Sequence, residues 1–161
     1  MTASEKDIPK IEDILLDTIQ GWADPSDKNL WREDQIKWKR LSKDFVVSDF
    51  HIALLDGSPA ACMAVVDHDP FFWPDVEKGT SLFIHKLAVK RFAAGKGLSD
   101  ALIAHAKTMC AKRNISSLRL DCYSKSPKLR AVYERNGFVC VGEKVLFDKY
   151  PTAFYEWSLS L

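Results

Sequence analysis

Apolar residues along this chain follow two alternating rhythms. Between residues 7 and 22, Ile8, Ile11, Ile14, Leu15, Ile19 and Trp22 recur every three or four positions, which predicts an amphipathic helix. Gly21 and Pro25 end it. A second helix is predicted over about Leu30 to Leu41, with Trp31, Ile36, Trp38 and Leu41 on or near one face. Residues 45–55 read as a strand, Asp56-Gly57-Ser58-Pro59 as a hairpin turn, and Ala60 to Val66 as the returning strand. A loop rich in proline and aromatics, DHDPFFWPDVEKGT, leads to an apolar strand from Leu82 to Val89 and a basic, glycine-containing turn. Leu98, Ala101, Leu102, His105 and Met109 then repeat at helical spacing. Lys112 and Arg113 suit the negative end of that helix, and Asn114 suits a left-handed stop. After a short strand, Ser117 to Cys122, Ser126-Pro127 reads as an N-cap with proline at the first helical position, and Asn136-Gly137 as the stop. Strands over 138–147 and 152–159 close the chain.

A hairpin, a strand–turn–helix–strand–helix run over residues 82–136 and a second hairpin predict a mixed α/β (α+β) fold. Its central sheet would be mostly antiparallel, with one parallel crossover and helices on both faces. With no repeat, linker or low-complexity stretch, one domain over residues 1–161 is expected.

Composition narrows the function classes. Apolar residues make up 47% and charged residues 28%, the balance of an ordinary globular protein. A formal net charge of +1 argues against a nucleic-acid binder. No apolar run approaches a membrane span, and MTASEKDIPKIEDILL has no signal-peptide core, so a cytoplasmic location is expected. Cys62, Cys110, Cys122 and Cys140 are scattered without metal-site or disulfide spacing, so no metal is expected and the thiols read as small buried hydrophobes.

The chemistry gathers at the turn after Val89. A helix start presents unpaired N–H groups and the positive end of the helix dipole. Gly95 and Gly97 let that backbone close around a phosphate, and Lys90, Arg91 and Lys96 add positive charge. A nucleotide- or phosphate-binding regulatory protein is one reading, although neither a P-loop nor a Rossmann fingerprint is present.

A second motif narrows the choice. Ala94-Gly95-Lys96-Gly97-Leu98-Ser99 at a helix start, and Tyr133-Glu134-Arg135-Asn136-Gly137-Phe138 one helix–strand–helix connection later, resemble the paired motifs of the GNAT superfamily of N-acetyltransferases. The likeness covers residues 45–147 in element order, including the strand LRLDC. Ala94 stands where the family places Arg or Gln, Ser99 where it places Gly or Ala, and Ser126 where it often has Asn.

The resemblance implies acetyl-CoA as co-substrate and a primary amine, on a small molecule or peptide, as acceptor attacking the thioester directly. It places Ala94, Gly95, Lys96, Gly97, Leu98 and Ser99 on the pyrophosphate, the backbone of Leu87 and Val89 along the thioester and pantetheine arm, and Ser126, Lys128 and Tyr133 against the cofactor. Tyr133 would stabilise the departing thiolate. Alternation along the strand sets His85 on the same face as Phe83, Leu87 and Val89, making it a candidate base, with Asp67, His68 and Asp69 as rivals. His51 and His105 read as structural. Trp22, Trp31, Trp38, Phe71, Phe72 and Trp73 would serve as core packing or as an aromatic acceptor wall. The final hairpin offers an edge for a homodimer. An acyl-CoA-binding module without transferase activity is the alternative within the same fold.

Overall fold

The computed structural model describes residues 1–21 and 31–159. The elements are α1 (Ile8–Gly21), α2 (Trp38–Leu41), β1 (Phe50–Leu55), β2 (Ser58–Val66), β3 (Leu82–Val89), α3 (Leu98–Lys112), β4 (Ser117–Tyr123), α4 (Pro127–Arg135), β5 (Val139–Leu146) and β6 (Tyr150–Ser158). The strands order as β1-β2-β3-β4-β6-β5, antiparallel at both hairpins and parallel where β3 meets β4, with Leu82 opposite Leu118 and Phe83 opposite Arg119. This is the mixed, mostly antiparallel sheet with one parallel crossover that the pattern predicts. Among the described residues no helix is long and apolar enough to cross a membrane.

Residues cluster into two compact units. The first, Met1–Val65 with His85–Leu102, buries Ile11, Ile14 and Leu15 of α1 among Ile36, Leu41, Phe50 and Ile52. Full burial of one such aliphatic side chain is worth about 1.5–3 kcal/mol. The helix expected over 30–41 is shorter than its periodicity suggested, and Trp22 and Leu30 lie outside the described residues. A 3-10 turn at Glu33–Gln35 comes first, closed by the Arg32 N–H donating to Gln35 Oε1 at 2.9 Å. Helix α2 then starts at Trp38, whose N–H donates to Glu12 of α1 at 2.8 Å. The strand expected from 45 begins only at Phe50, because Val47–Asp49 form another 3-10 turn. Asp56 and Gly57, both left-handed, make the two-residue hairpin turn.

Ahead of α1, the Asp7 carboxylate accepts from the Ser4 N–H and Oγ at 2.9 and 3.1 Å and pairs with Lys10 at 2.8 Å. The Lys10 ammonium and the Ser4 N–H hold its pKa at about 2, against 3.8 ordinarily. A depressed folded-state pKa means the unfolded chain binds the proton first. The contribution is therefore complete above pH ~4 and is lost as pH falls towards ~2. Asp7→Asn should flatten that part of a thermal-midpoint titration between pH 2 and 5; an unchanged acid limb would show that Asp7 plays no part in acid unfolding.

The second unit is Val66–Ile84 with Ile103–Leu161. Its central strands, β4 and β6, pair over Ser117–Tyr123 against Thr152–Ser158, with β5 outside β6. On α3 the buried positions are Leu102, Ile103, Ala106 and Cys110, whereas Ala101 and His105 are exposed. The helical period was read correctly but the face was displaced by one position. The inward stripe joins Leu102 and Ile103 to the small residues Ala106 and Cys110, and Met109 is only half-buried. Asn114 does end the helix in the left-handed conformation, at φ 55. Cys62, Cys110 and Cys122 are buried and unbridged, and burial pushes their thiols up to about 12, 11 and 12. They stay protonated and act as small apolar groups.

Candidate active site

In the first unit, β3 runs into a turn whose shape is set by two glycines. Arg91–Ala93 make one 3-10 turn with Ala93 buried, and Ala94, Gly95, Lys96 and Gly97 stand exposed. Gly95 and Gly97 take φ of 73° and 77°, and nothing lies within 4 Å of where a Cβ would sit on either. The space before the turn is open. Helix α3 starts at Leu98, with the Gly97 carbonyl accepting from Ala101 N–H at 3.0 Å. The N–H groups of Leu98 and Ser99 precede the first bond of this ladder and so have no acceptor within the helix. Lys96, exposed within the turn, adds three further donors.

Of the other two cations, Lys90 is engaged through its side chain and Arg91 only through its backbone. The Lys90 ammonium pairs with Asp13, and the Arg91 N–H donates to Asp17 Oδ2 at 2.9 Å. Asp13 and Asp17 sit one helical turn apart on α1. That helix thus braces the start of the turn, and the positive charge expected of Lys90 there is paired with a carboxylate.

Upstream on β3, Lys86 is left-handed at φ 52. Cys62 Sγ lies 3.7 Å from its carbonyl oxygen, and its ammonium stands 4.9 Å from the Trp31 ring centroid. One left-handed residue interrupts the strict alternation that placed His85 on a face with Leu87 and Val89. His85 is half-buried and meets Phe45 edge-on at 5.7 Å. Nothing in FIHKLAV signals the kink, since lysine has no preference for that conformation.

In the second unit, the motif from Tyr133 to Phe138 is the C-terminal end of α4. Gly137, at φ 85, donates to Glu134 O at 3.0 Å, and Phe138 donates to Tyr133 O at 3.1 Å. These two bonds form a Schellman cap, and the Tyr133 and Phe138 rings, 6.1 Å apart, supply its hydrophobic contact. A Cβ on Gly137 would also stand 3.4 Å from Trp157. The glycine and the phenylalanine of the motif are thus explained by helix termination, in which the tyrosine takes part through its carbonyl and ring but not its hydroxyl. Tyr133 is 7% exposed. Burial first, then the neighbouring Cys122 and Asp121, pushes its phenol well above the ordinary tyrosine value. At the other end of α4, Ser126 accepts from Leu129 N–H at 3.4 Å as N-cap, and Lys128 is exposed in the first turn.

The rival bases have structural duties. Asp67 pairs with Arg113 at 3.2 Å, and buried Asp69 accepts from Phe72 N–H at 3.1 Å, shaping the aromatic loop; His68 is exposed. His51 is buried. Phe72, Trp73, Val76, Val141, Lys144 and Phe154 line a groove of about 170 Å³ in this unit. Trp73 packs against Phe83 and Phe154, whereas Phe71 and Phe147, 63% and 68% exposed, stack on one another. Trp38 meets Phe50 edge-on within the first unit's core.

The model of the acetyltransferase (GNAT) family matches residues 9–138. An N-acetyltransferase of Bacillus subtilis, YesJ, itself uncharacterized, is 34% identical over 89 residues, 53% of this chain and 49% of that protein. The chain therefore spans about half the length of that curated relative. Among solved structures, a GNAT-family acetyltransferase from Listeria monocytogenes superposes with a TM-score of 0.76 at 22% identity, over 99% of this chain and 93% of that one. An acetyltransferase from Bacillus anthracis, solved in complex with acetyl coenzyme A, gives 0.59 at 19% identity over 69% and 62%. With the family model spanning most of the chain, and the glycine turn and capped tyrosine helix on the elements they require, this protein belongs to the GNAT family of acetyltransferases.

Proposed function

We propose that this chain transfers an acetyl group from acetyl-CoA to a primary amine by direct attack, with residues 1–161 acting as one catalytic domain. The observation that carries the reading is the open turn, with left-handed Gly95 and Gly97 at the start of a 15-residue helix. Acetyl-CoA would supply an acetyl thioester already activated towards amines. The N–H groups of Gly95, Gly97, Leu98 and Ser99 and the Lys96 ammonium hold the pyrophosphate. A hydrogen bond to a charged group contributes about 1.5–3 kcal/mol. Ala94 brings no side-chain donor, so the backbone carries a larger share.

The N–H groups of Leu87 and Val89 pair with the pantetheine arm and polarise the acetyl carbonyl. His85 takes the proton of the incoming ammonium. Tyr133 donates its hydroxyl to the sulfur as the C–S bond breaks. A thiol has an ordinary pKa of about 8.5. A phenol raised well above 10 therefore keeps its proton and acts as a hydrogen-bond donor rather than as an acid. Ser126 and Lys128 flank the cofactor from the first turn of α4. The groove walled by Phe72, Trp73 and Phe154 takes the acceptor's apolar or cationic part.

Thiol release measured over a panel of primary amines tests this. CoA should appear only when acetyl-CoA and an amine are both present, fastest with aryl- or alkyl-substituted amines, and His85→Ala should lower kcat by roughly a hundredfold or more with acetyl-CoA affinity little changed. An unaltered kcat in that variant would remove His85 from the mechanism. Calorimetric binding of acetyl-CoA with no turnover of any amine would instead favour the non-catalytic acyl-CoA-binding module. Binding of ATP in place of acetyl-CoA would refute both.

A further inference from the structure

The hydroxyl of Tyr155 is a buried titratable group that the proposed chemistry leaves unused. Tyr155 lies on β6 between Leu120 of β4 and Cys140 of β5, and it is fully buried. Its hydroxyl accepts from Arg130 Nε at 2.8 Å and donates to Glu134 Oε1 at 2.8 Å. Arg130 and Glu134 are one turn apart on α4, so the helix holds this single sheet-borne oxygen with two side chains of opposite charge. The Arg130 guanidinium reaches on to the Ser124 carbonyl and to Glu143, each at 3.2 Å. With one bond accepted and one donated, the Tyr155 oxygen is committed and is not available to a substrate. Its ring lies 6.0 Å from the ring of Tyr133, tilted by 45°.

We propose that Tyr155 is a positioning residue for Tyr133: by tying Arg130 and Glu134 to β6 it fixes the roll of α4, and with it the direction in which the Tyr133 hydroxyl points. This rests on the reading of Tyr133 as the thiolate's donor. The geometry makes the roll consequential. Helix α4 has nine residues, about two and a half turns, and its C-terminal end is held separately, by the Lys107 ammonium on the Asn136 carbonyl. A tyrosine oxygen stands some 8–9 Å from the helix axis, so a 10° roll would move it by about 1.5 Å. A displacement of about 1 Å at a reacting centre is enough to cost up to a hundredfold in rate. Arg130 and Glu134 face one another at 3.9 Å as an i,i+4 pair on α4, and the Tyr155 hydroxyl joins both of them to β6.

A double-mutant cycle between Tyr133→Phe and Tyr155→Phe tests the proposal. Tyr155→Phe keeps the ring and removes only the oxygen. It should lower kcat roughly five- to tenfold, as expected for one misdirected hydrogen bond, and leave the KM for acetyl-CoA within about twofold. In the Tyr133→Phe background the same change should cost nothing further. Glu134→Ala, at an exposed site that leaves the fold intact, should repeat the loss, and Glu134→Gln, which keeps an acceptor oxygen, should restore most of it. An unchanged kcat in Tyr155→Phe and Glu134→Ala, with only a lower thermal midpoint, would reduce Tyr155 to a structural residue and overturn the proposal. So would an equal loss in both backgrounds. If Tyr133→Phe alone leaves kcat unaltered, the donor assignment itself fails and the proposal falls with it, an outcome distinct from the other two.

Discussion

Gly97→Glu should weaken acetyl-CoA binding by roughly a hundredfold or more, read as Kd by calorimetry on protein whose circular dichroism is unchanged. Two effects add. Gly97 sits at φ 77, and a side chain in the left-handed region costs about 1–2 kcal/mol in a residue that is not glycine. The strain falls on the residue that caps α3, so it is relieved by moving the N–H groups that would receive the phosphate. The added carboxylate also enters the open space before the turn and repels an anion there. At a few ångströms in a partly solvated site, such repulsion is worth about 1–3 kcal/mol, and each 1.4 kcal/mol is a factor of ten in Kd.

Gly97→Ala separates the two, because it carries the strain without the charge. It should lose about tenfold, and the remaining loss in Gly97→Glu should shrink as salt is added. Equal affinities for the two variants at low salt would show that no anion binds before this turn. Wild-type affinity in both would move the pyrophosphate elsewhere.

Tyr133→Phe is expected to lower kcat by roughly 10- to 100-fold with acetyl-CoA affinity almost unaltered, which is the span of one charge-assisted hydrogen bond made mainly in the transition state. The substitution is clean because the ring survives. The contact with Phe138 that completes the helix cap, and the packing against Tyr155, both involve the ring. The raised phenol pKa adds a pH criterion. Its proton is retained beyond the ordinary tyrosine range, so an alkaline limb in the wild-type pH–rate profile belongs to another group and should persist in Tyr133→Phe. A kcat within twofold of wild type would remove Tyr133 from the chemistry and leave the motif as a helix terminator. A proportionate loss of acetyl-CoA affinity would make it a binding residue instead.

Local chemistry made much of this fold legible. The limits of α4 follow from Ser126-Pro127 and Asn136-Gly137, and the end of α3 from Asn114, because each terminus is closed by hydrogen bonds within a few residues. The glycine turn is legible for the same reason. Two left-handed positions ahead of a helix need glycine and little else. The second helix was overestimated, since its start depends on Glu12, a residue 26 positions away that no short-range pattern links to Trp38. The buried face of α3 lies one position away from the expected stripe, because both rows of residues keep the same helical period and only the packing of Leu102, Ile103, Ala106 and Cys110 chooses between them.

From residues alone came the identity and order of the elements, the crossover, the glycine turn and the capped tyrosine helix, all of which close over short stretches of chain. Tertiary structure decided what depends on distant partners. It tied Lys90 and the Arg91 N–H to α1 through Asp13 and Asp17, kinked β3 at Lys86, and set Arg130 and Glu134 of α4 on the hydroxyl of Tyr155. A hydrogen bond between residues far apart in sequence leaves no periodicity to read, because what selects its partners is the packing that brings them together.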